Sequence, residues 1–240
     1  MKSKKFLFKL KKFFYESILI LKLGYPLIIS QILMTIIEFI DSIMAGNISS
    51  IELAGLAIAL AIYHPVFLLT LGVLIPLGAI IAQLFGTEKS EEIANNAFNG
   101  FWISQIFALL SILLFSNVEF FLEKFRYEEE VIRIAADYLG ALCWGIPALY
   151  AFLVLRMFAE GLSITRPTMY FSMIGLIFKV ILNYFLMFGG YGITPLGTVG
   201  AGWATSITHW IMLIIFVLFI LKSQLFVNYR KFFVFRRRIS

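Results

Sequence analysis

The chain has 240 residues, of which 61% are hydrophobic and 14% charged, with a net charge of +6 and a single cysteine, Cys143. A soluble domain runs at about 45–50% apolar and about 25% charged, so this chain carries more apolar surface than a compact soluble fold can hide. That excludes an ordinary soluble enzyme, a disordered chain, a secreted disulfide scaffold and a cysteine-based metal site, and leaves an integral membrane protein.

Basic residues gather at the two ends: Lys2, Lys4, Lys5, Lys9, Lys11 and Lys12 at the start, and Lys222, Arg230, Lys231, Arg236, Arg237 and Arg238 at the finish. Each run abuts an apolar segment, which points to the anionic lipid of a cytoplasmic leaflet. No nucleic-acid partner is expected, because no soluble domain exists to read a base. Residues 1–22 read as a basic, amphipathic cytoplasmic lead-in. They are not a cleavable signal, since the apolar run behind them continues past any reasonable cleavage site.

A spanning helix needs about 20 mostly apolar residues. Six such runs follow in order, at 23–45, 53–83, 97–117, 135–158, 168–189 and 200–221. The second is long enough to tilt or bend, and Pro65 and Pro76 offer places to kink it. The connection from 118 to 134 should carry a short surface helix. The predicted fold is thus an all-α polytopic bundle of six transmembrane helices over 23–221, followed by a basic cytoplasmic tail at 222–240. With both termini inside, the inner segments hold fourteen basic residues and the outer loops three. That asymmetry follows the positive-inside rule. The expected location is a bacterial inner (plasma) membrane, crossed several times, with both ends cytoplasmic.

A charge near mid-membrane costs at least about 2.5–3.5 kcal/mol on insertion scales, so charges there point to function. In the first span Gln31, Thr35, Glu38 and Ser42 recur at steps of four, three and four, and Asp41 lies on the same helical face. Lipid cannot satisfy this stripe, so it should face a cavity or another helix. The fifth span supplies Lys179 and Asn183, four residues apart on one face. If the two helices are neighbours, the flexible stem of Lys179 reaches Glu38 or Asp41. This reads either as a structural ion pair or as a proton or cation site with coupled titrations. Asp41, Glu38, Lys179 and Asn183 are the candidate ion-coupling residues.

Candidates for a substrate cavity are Gln31, Thr35 and Ser42 from the stripe, with Tyr63, Tyr150, Tyr184 and His209; Tyr138 is a further tyrosine of this kind. His209 is in line with Gly202 and Ser206, and a lone membrane histidine is more often a packing donor than a metal ligand. His64, beside Pro65, reads as a polar group at a kink. Arg156 and Glu160, four apart, read as a helix-end salt bridge. No zinc-protease, phosphate-loop or nucleophile-elbow motif is present, and no metal site or cofactor is expected.

Several segments are similar to one family. They are Pro26 and Gln31 in the spacing P-x4-Q, IDSIMAG (Ile40 to Gly46), LAGLA (Leu53 to Ala57), and Gln83 ahead of Phe85-Gly86. LRMFAEGLSITRPTM (Leu155 to Met169) and LNYFLMFGGYGITPLGTVGAGWAT (Leu182 to Thr205) complete the set. In this order and spacing they resemble the amino-terminal half of multidrug and toxic compound extrusion (MATE) transporters. The resemblance implies one six-helix lobe of a secondary antiporter that exports cationic, amphipathic small molecules in exchange for H+ or Na+. It makes Asp41 the acid of a D-[ST]-x-x-x-G cation-coupling motif. Two departures stand out. Lys179 occupies a position where the family usually has Asn, which argues against sodium coupling through this lobe, and Glu38 is its compensating charge. The chain also reads as half-length: either it is a fragment or a split half of a longer transporter, with a separate second half, or two copies pair. The alternatives are a truncated or split lobe without independent transport, and half of a lipid-linked-glycan flippase.

Overall fold

The computed structural model describes residues 2–125, 127–190, 192 and 194–229, with side chains from Tyr15 onward except those of residues 19, 20 and 23. Arg126 and the basic residues beyond Tyr229 lie outside the described residues, as do the side chains of the first basic run. The elements are α1 (Lys2–Ile48), α2 (Ser50–Gly86), α3 (Ser90–Phe115), α4 (Val118–Leu122), α5 (Glu129–Cys143), α6 (Ile146–Gly161), α7 (Arg166–Phe188) and α8 (Thr198–Lys222), with a final 3₁₀ turn at Gln224–Phe226.

Five helical stretches are long and apolar enough to cross a membrane singly: Gly24–Ile48 within α1, then α2, α3, α7 and α8. The lead-in is helical and continuous with the first span. α2 remains one helix through Pro65 and Pro76, and at about 1.5 Å per residue it is about 55 Å long, well beyond a hydrocarbon core of about 30 Å. One residue separates it from α1. That residue is Ser49, in extended backbone, whose hydroxyl accepts from Glu52 N at 3.0 Å and so stops one helix and starts the next.

The fourth span differs from the single helix expected over 135–158. α5 and α6 meet at a 53° bend, and taken together as one broken span they bring the number of stretches long and apolar enough to cross a membrane to six. Pro147 cannot donate a backbone N–H, and a Cβ on Gly145 would sit 2.8 Å from Ser206 Oγ, so the chain bends where α8 comes closest. Carbonyls freed by a break must be satisfied inside the protein at membrane depth. α8 does this. Ser206 Oγ donates to Ala141 O at 2.7 Å, and Trp210 Nε1 donates to Trp144 O at 2.9 Å. The connection from 118 to 134 holds α4 and the first turns of α5.

α6 lies at the centre, with most of its side chains buried and with α2, α3 and α8 packed around it. α7 sits between α1 and α8, and α2 packs on α5 and α3. The buried apolar core draws on Leu56, Ala59, Leu74, Leu77 and Ile81 of α2 and on Leu149, Phe152, Leu153 and Phe158 of α6. α1 contributes only Ala45 to it among the described residues.

Candidate functional site

Where α1, α7 and α8 meet, charged groups replace apolar contact. Asp41 on α1 is 4% exposed, and Lys179 and Asn183 on α7 are fully buried. The four-residue step from 179 to 183 puts both side chains on one face of α7, and that face meets α1. Lys179 Nζ lies 3.0 Å from Asp41 Oδ1 and donates to Ala201 O at 2.9 Å. Its third partner is the hydroxyl of Thr205, which itself donates to Ala201 O at 2.7 Å. An ammonium has three N–H groups, and here each has an oxygen. Asn183 Nδ2 donates to Asp41 Oδ1 at 2.5 Å. One carboxylate, one ammonium and one amide thus tie three helices together at a buried point.

Beside this node is a cavity of about 390 Å³. Leucines, Ile75 and Phe152 make much of its wall, with the rings of Tyr63, Phe67 and Tyr138. Gln31, Thr35, Glu38 and Asp41 enter it from α1, His64 from α2, Arg156 from α6, Lys179 from α7, and Thr205, Thr208 and His209 from α8. Small-molecule sites are usually of this kind: concave, mostly apolar, with a few placed polar groups. His209 Nδ1 and Thr208 Oγ1 are buried without a hydrogen-bond partner.

The structure brings together Asp41, Lys179 and Asn183, and places Glu38, Gln31, Thr35, Tyr63 and His209 on the adjoining wall. Glu38 does not share the ammonium with Asp41. It pairs instead with His64, whose Nε2 lies 3.2 Å from Glu38 Oε2. Three residues expected on the cavity lie elsewhere. Ser42 turns back to bond Glu38 O at 3.4 Å, because a helical serine readily reaches the carbonyl one turn earlier. Tyr150 is a fully buried strut whose hydroxyl meets Thr70 and Ser111, each at 3.2 Å, joining α6 to α2 and α3. Tyr184 is 59% exposed and stacks edge-on against Phe185, on the outer side of α7. Arg156 does pair with Glu160, at 2.6 Å, but it also lines the cavity and reaches Met34 Sδ on α1 at 3.6 Å. His64 and Arg156, read from the sequence as a kink group and a helix-end pair, line the cavity, and Thr205 of the node and Thr208 of the wall had no place in the sequence reading. His64 carried a signal, since it lies on the helix that folds back beside the polar stripe of α1.

A multi-pass helical bundle that buries an ion pair beside an apolar-walled cavity has the ingredients of a transporter lobe. Comparison with known proteins agrees. The MatE family profile matches residues 26–185, well over half of the chain. The chain superposes on the crystal structure of the eukaryotic MATE transporter AtDTX14 with a TM-score of 0.79 at 20% identity, covering 91% of this chain and 48% of that one. An outward-facing multidrug resistance MATE family transporter of the MOP superfamily gives 0.77 at 18% identity, covering 85% and 45%. A MOP superfamily transporter from Pyrococcus furiosus, described as having a binding pocket of reverse polarity, gives 0.77 at 18% identity, covering 85% and 44%. The chain belongs to the MatE family of membrane transporters. It spans about half the length of the solved transporters it matches.

Proposed function

We propose that this chain is one six-helix lobe of a secondary antiporter that exports amphipathic cations, with H+ as the coupling ion through Asp41. It acts in a bacterial inner membrane with both termini cytoplasmic, together with a second six-helix lobe, whether continuous with this sequence, a second copy or a separate half. The observation that carries the reading is the position of the Lys179 ammonium. It occupies the space beside Asp41 Oδ1 that a metal cation would need, and its three N–H groups are already matched to oxygens. A sodium ion would have to displace a fixed, fully buried cation. A proton needs no such room. It adds to the carboxylate, discharges the pair and loosens the tie between α1 and α7. The cavity supports a cationic, partly apolar cargo by its aromatic and aliphatic wall and its carboxylates.

The test is ethidium accumulation in bacterial cells that lack their own drug pumps. Cells expressing the chain should retain less ethidium than controls, and Asp41→Asn should abolish the protection. Abolishing the pH gradient should stop export, while removing sodium should not. Export that persists without a pH gradient but stops without sodium would refute proton coupling. No protection under any condition would refute independent transport by this lobe.

A further inference from the structure

Most charges on the cavity wall are already matched. Asp41 is held by Lys179 and Asn183 and is almost wholly buried, so a bulky ligand cannot reach it. Arg156 is bonded to Glu160. Glu38 differs. Its partner is His64, and the two side chains are 45% and 38% exposed, both on the cavity wall. Of the two carboxylates that line the cavity among the described residues, Glu38 alone has no fixed cation beside it.

Histidine is the side chain whose charge changes in the range of pH 5–8. Neutral His64 hydrogen-bonds Glu38 but leaves its negative charge uncompensated. Protonated His64 cancels that charge. Tyr63 packs against both His64 and Phe67, with ring centroids 5.6 and 5.5 Å away, so aromatic surface lies next to the carboxylate. The other ionisable groups that face this part of the cavity are Asp41 on α1, Tyr63 on α2, Tyr138 on α5, Arg156 on α6, Lys179 on α7 and His209 on α8. Lys179 and Arg156 are occupied by their carboxylate partners, and His209 lies on the far helix of the node.

We infer that Glu38 and His64 form a cation-binding site separate from the Asp41 node. Glu38 receives the positive end of an amphipathic ammonium or phosphonium ligand, and a proton on His64 competes with it. This rests on the transport reading, and adds to it where in the lobe the cargo's charge is held and what dislodges it. A proton arriving at His64 fills the same electrostatic role as the cargo, so the two exclude each other at Glu38. The exchange involves no covalent step.

The experiment is equilibrium binding of tetraphenylphosphonium to the purified full chain in lipid nanodiscs at pH 8.0 and pH 5.5. The wild type should bind about two- to fivefold more tightly at the higher pH, which is what one half-exposed ion pair supplies. Glu38→Gln should weaken binding by about that factor at pH 8.0. His64→Gln should abolish the difference between the two pH values. Glu38→Asp, which keeps the charge, should keep the pH difference, and monodisperse elution with wild-type helical content checks that each variant is folded. Undiminished binding by folded Glu38→Gln at pH 8.0 would overturn this inference alone, as would a full pH difference in His64→Gln. No binding by the wild type at either pH would overturn the cation-transport reading and this inference together.

Discussion

Replacing Lys179 by Met removes the ammonium while keeping an unbranched chain of similar reach. The structure sets the size of the effect. Ala201 O keeps a donor, because Thr205 Oγ1 still bonds it at 2.7 Å. Asp41 keeps Asn183 but loses its counter-charge. Removing one partner of a buried pair costs about 3–5 kcal/mol, and the retained amide places this case near about 3 kcal/mol. At about 2–4 °C per kcal/mol for a domain of this size, the melting temperature should fall by about 6–12 °C. Asp41→Asn keeps an oxygen beside Lys179 but leaves the buried ammonium without a counter-charge, and should likewise cost about 3 kcal/mol. In the double variant neither charge remains, so its loss should be well below the sum of the two, with a coupling of about 2–3 kcal/mol. Thermal unfolding of the four proteins in one detergent, followed by tryptophan fluorescence, measures this cycle. Additive losses would show that the two groups do not depend on each other, and the node described here would be wrong.

Two further substitutions examine how the lobe is held around that node. Glu52→Ala removes the carboxylate that accepts from Thr198 N at 2.7 Å and caps α8 from the start of α2, where the N-cap itself is Gly197, at φ +57° and without a side chain. It should cost about 1–2 kcal/mol in thermal unfolding, and Glu52→Gln, which retains an acceptor, should recover most of that. Tyr150→Phe deletes the hydroxyl between Thr70 and Ser111, but each of these keeps a bond to its own helix, to Val66 O and Phe107 O. The cost should be about 1 kcal/mol with tetraphenylphosphonium binding unchanged; weakened binding would put Tyr150 on the cavity wall after all.

The six crossings were legible because membrane depth imposes a minimum apolar length, and hydropathy reports it directly. The polar stripe of α1 was legible because Gln31, Thr35, Glu38 and Asp41 keep helical spacing against an apolar background. What sequence could not supply was the register between helices. Lys179 stood within reach of two acids, and only the crossing of α1 with α7 assigns it to Asp41, leaving Glu38 for His64. Backbone acceptors leave no trace in a sequence, so Ala201 O was invisible as a lysine partner. Tyr150 has no periodic signature either. A tyrosine in an apolar run reads the same whether its hydroxyl faces a cavity or a serine on the next helix. The break between α5 and α6 was signalled by Gly145 and Pro147, but a continuous apolar run across them masked it.

These contacts give α1 an unusual standing in the lobe. Every other span buries a set of apolar residues, whereas α1 contributes Ala45 to the buried core among its described residues. Met34 and Met44 are partly buried against that core and α1 packs along α7, and polar ties are added to these contacts. Asp41 joins it to α7, and Glu38, three residues earlier and so on nearly the same face, joins it to α2. Met34 adds a contact with Arg156 of α6. Apolar packing does not respond to protons, whereas on the proposed coupling a proton on Asp41 would discharge the tie to Lys179. α1 is also the element that carries the cavity's two carboxylates among the described residues, Glu38 and Asp41.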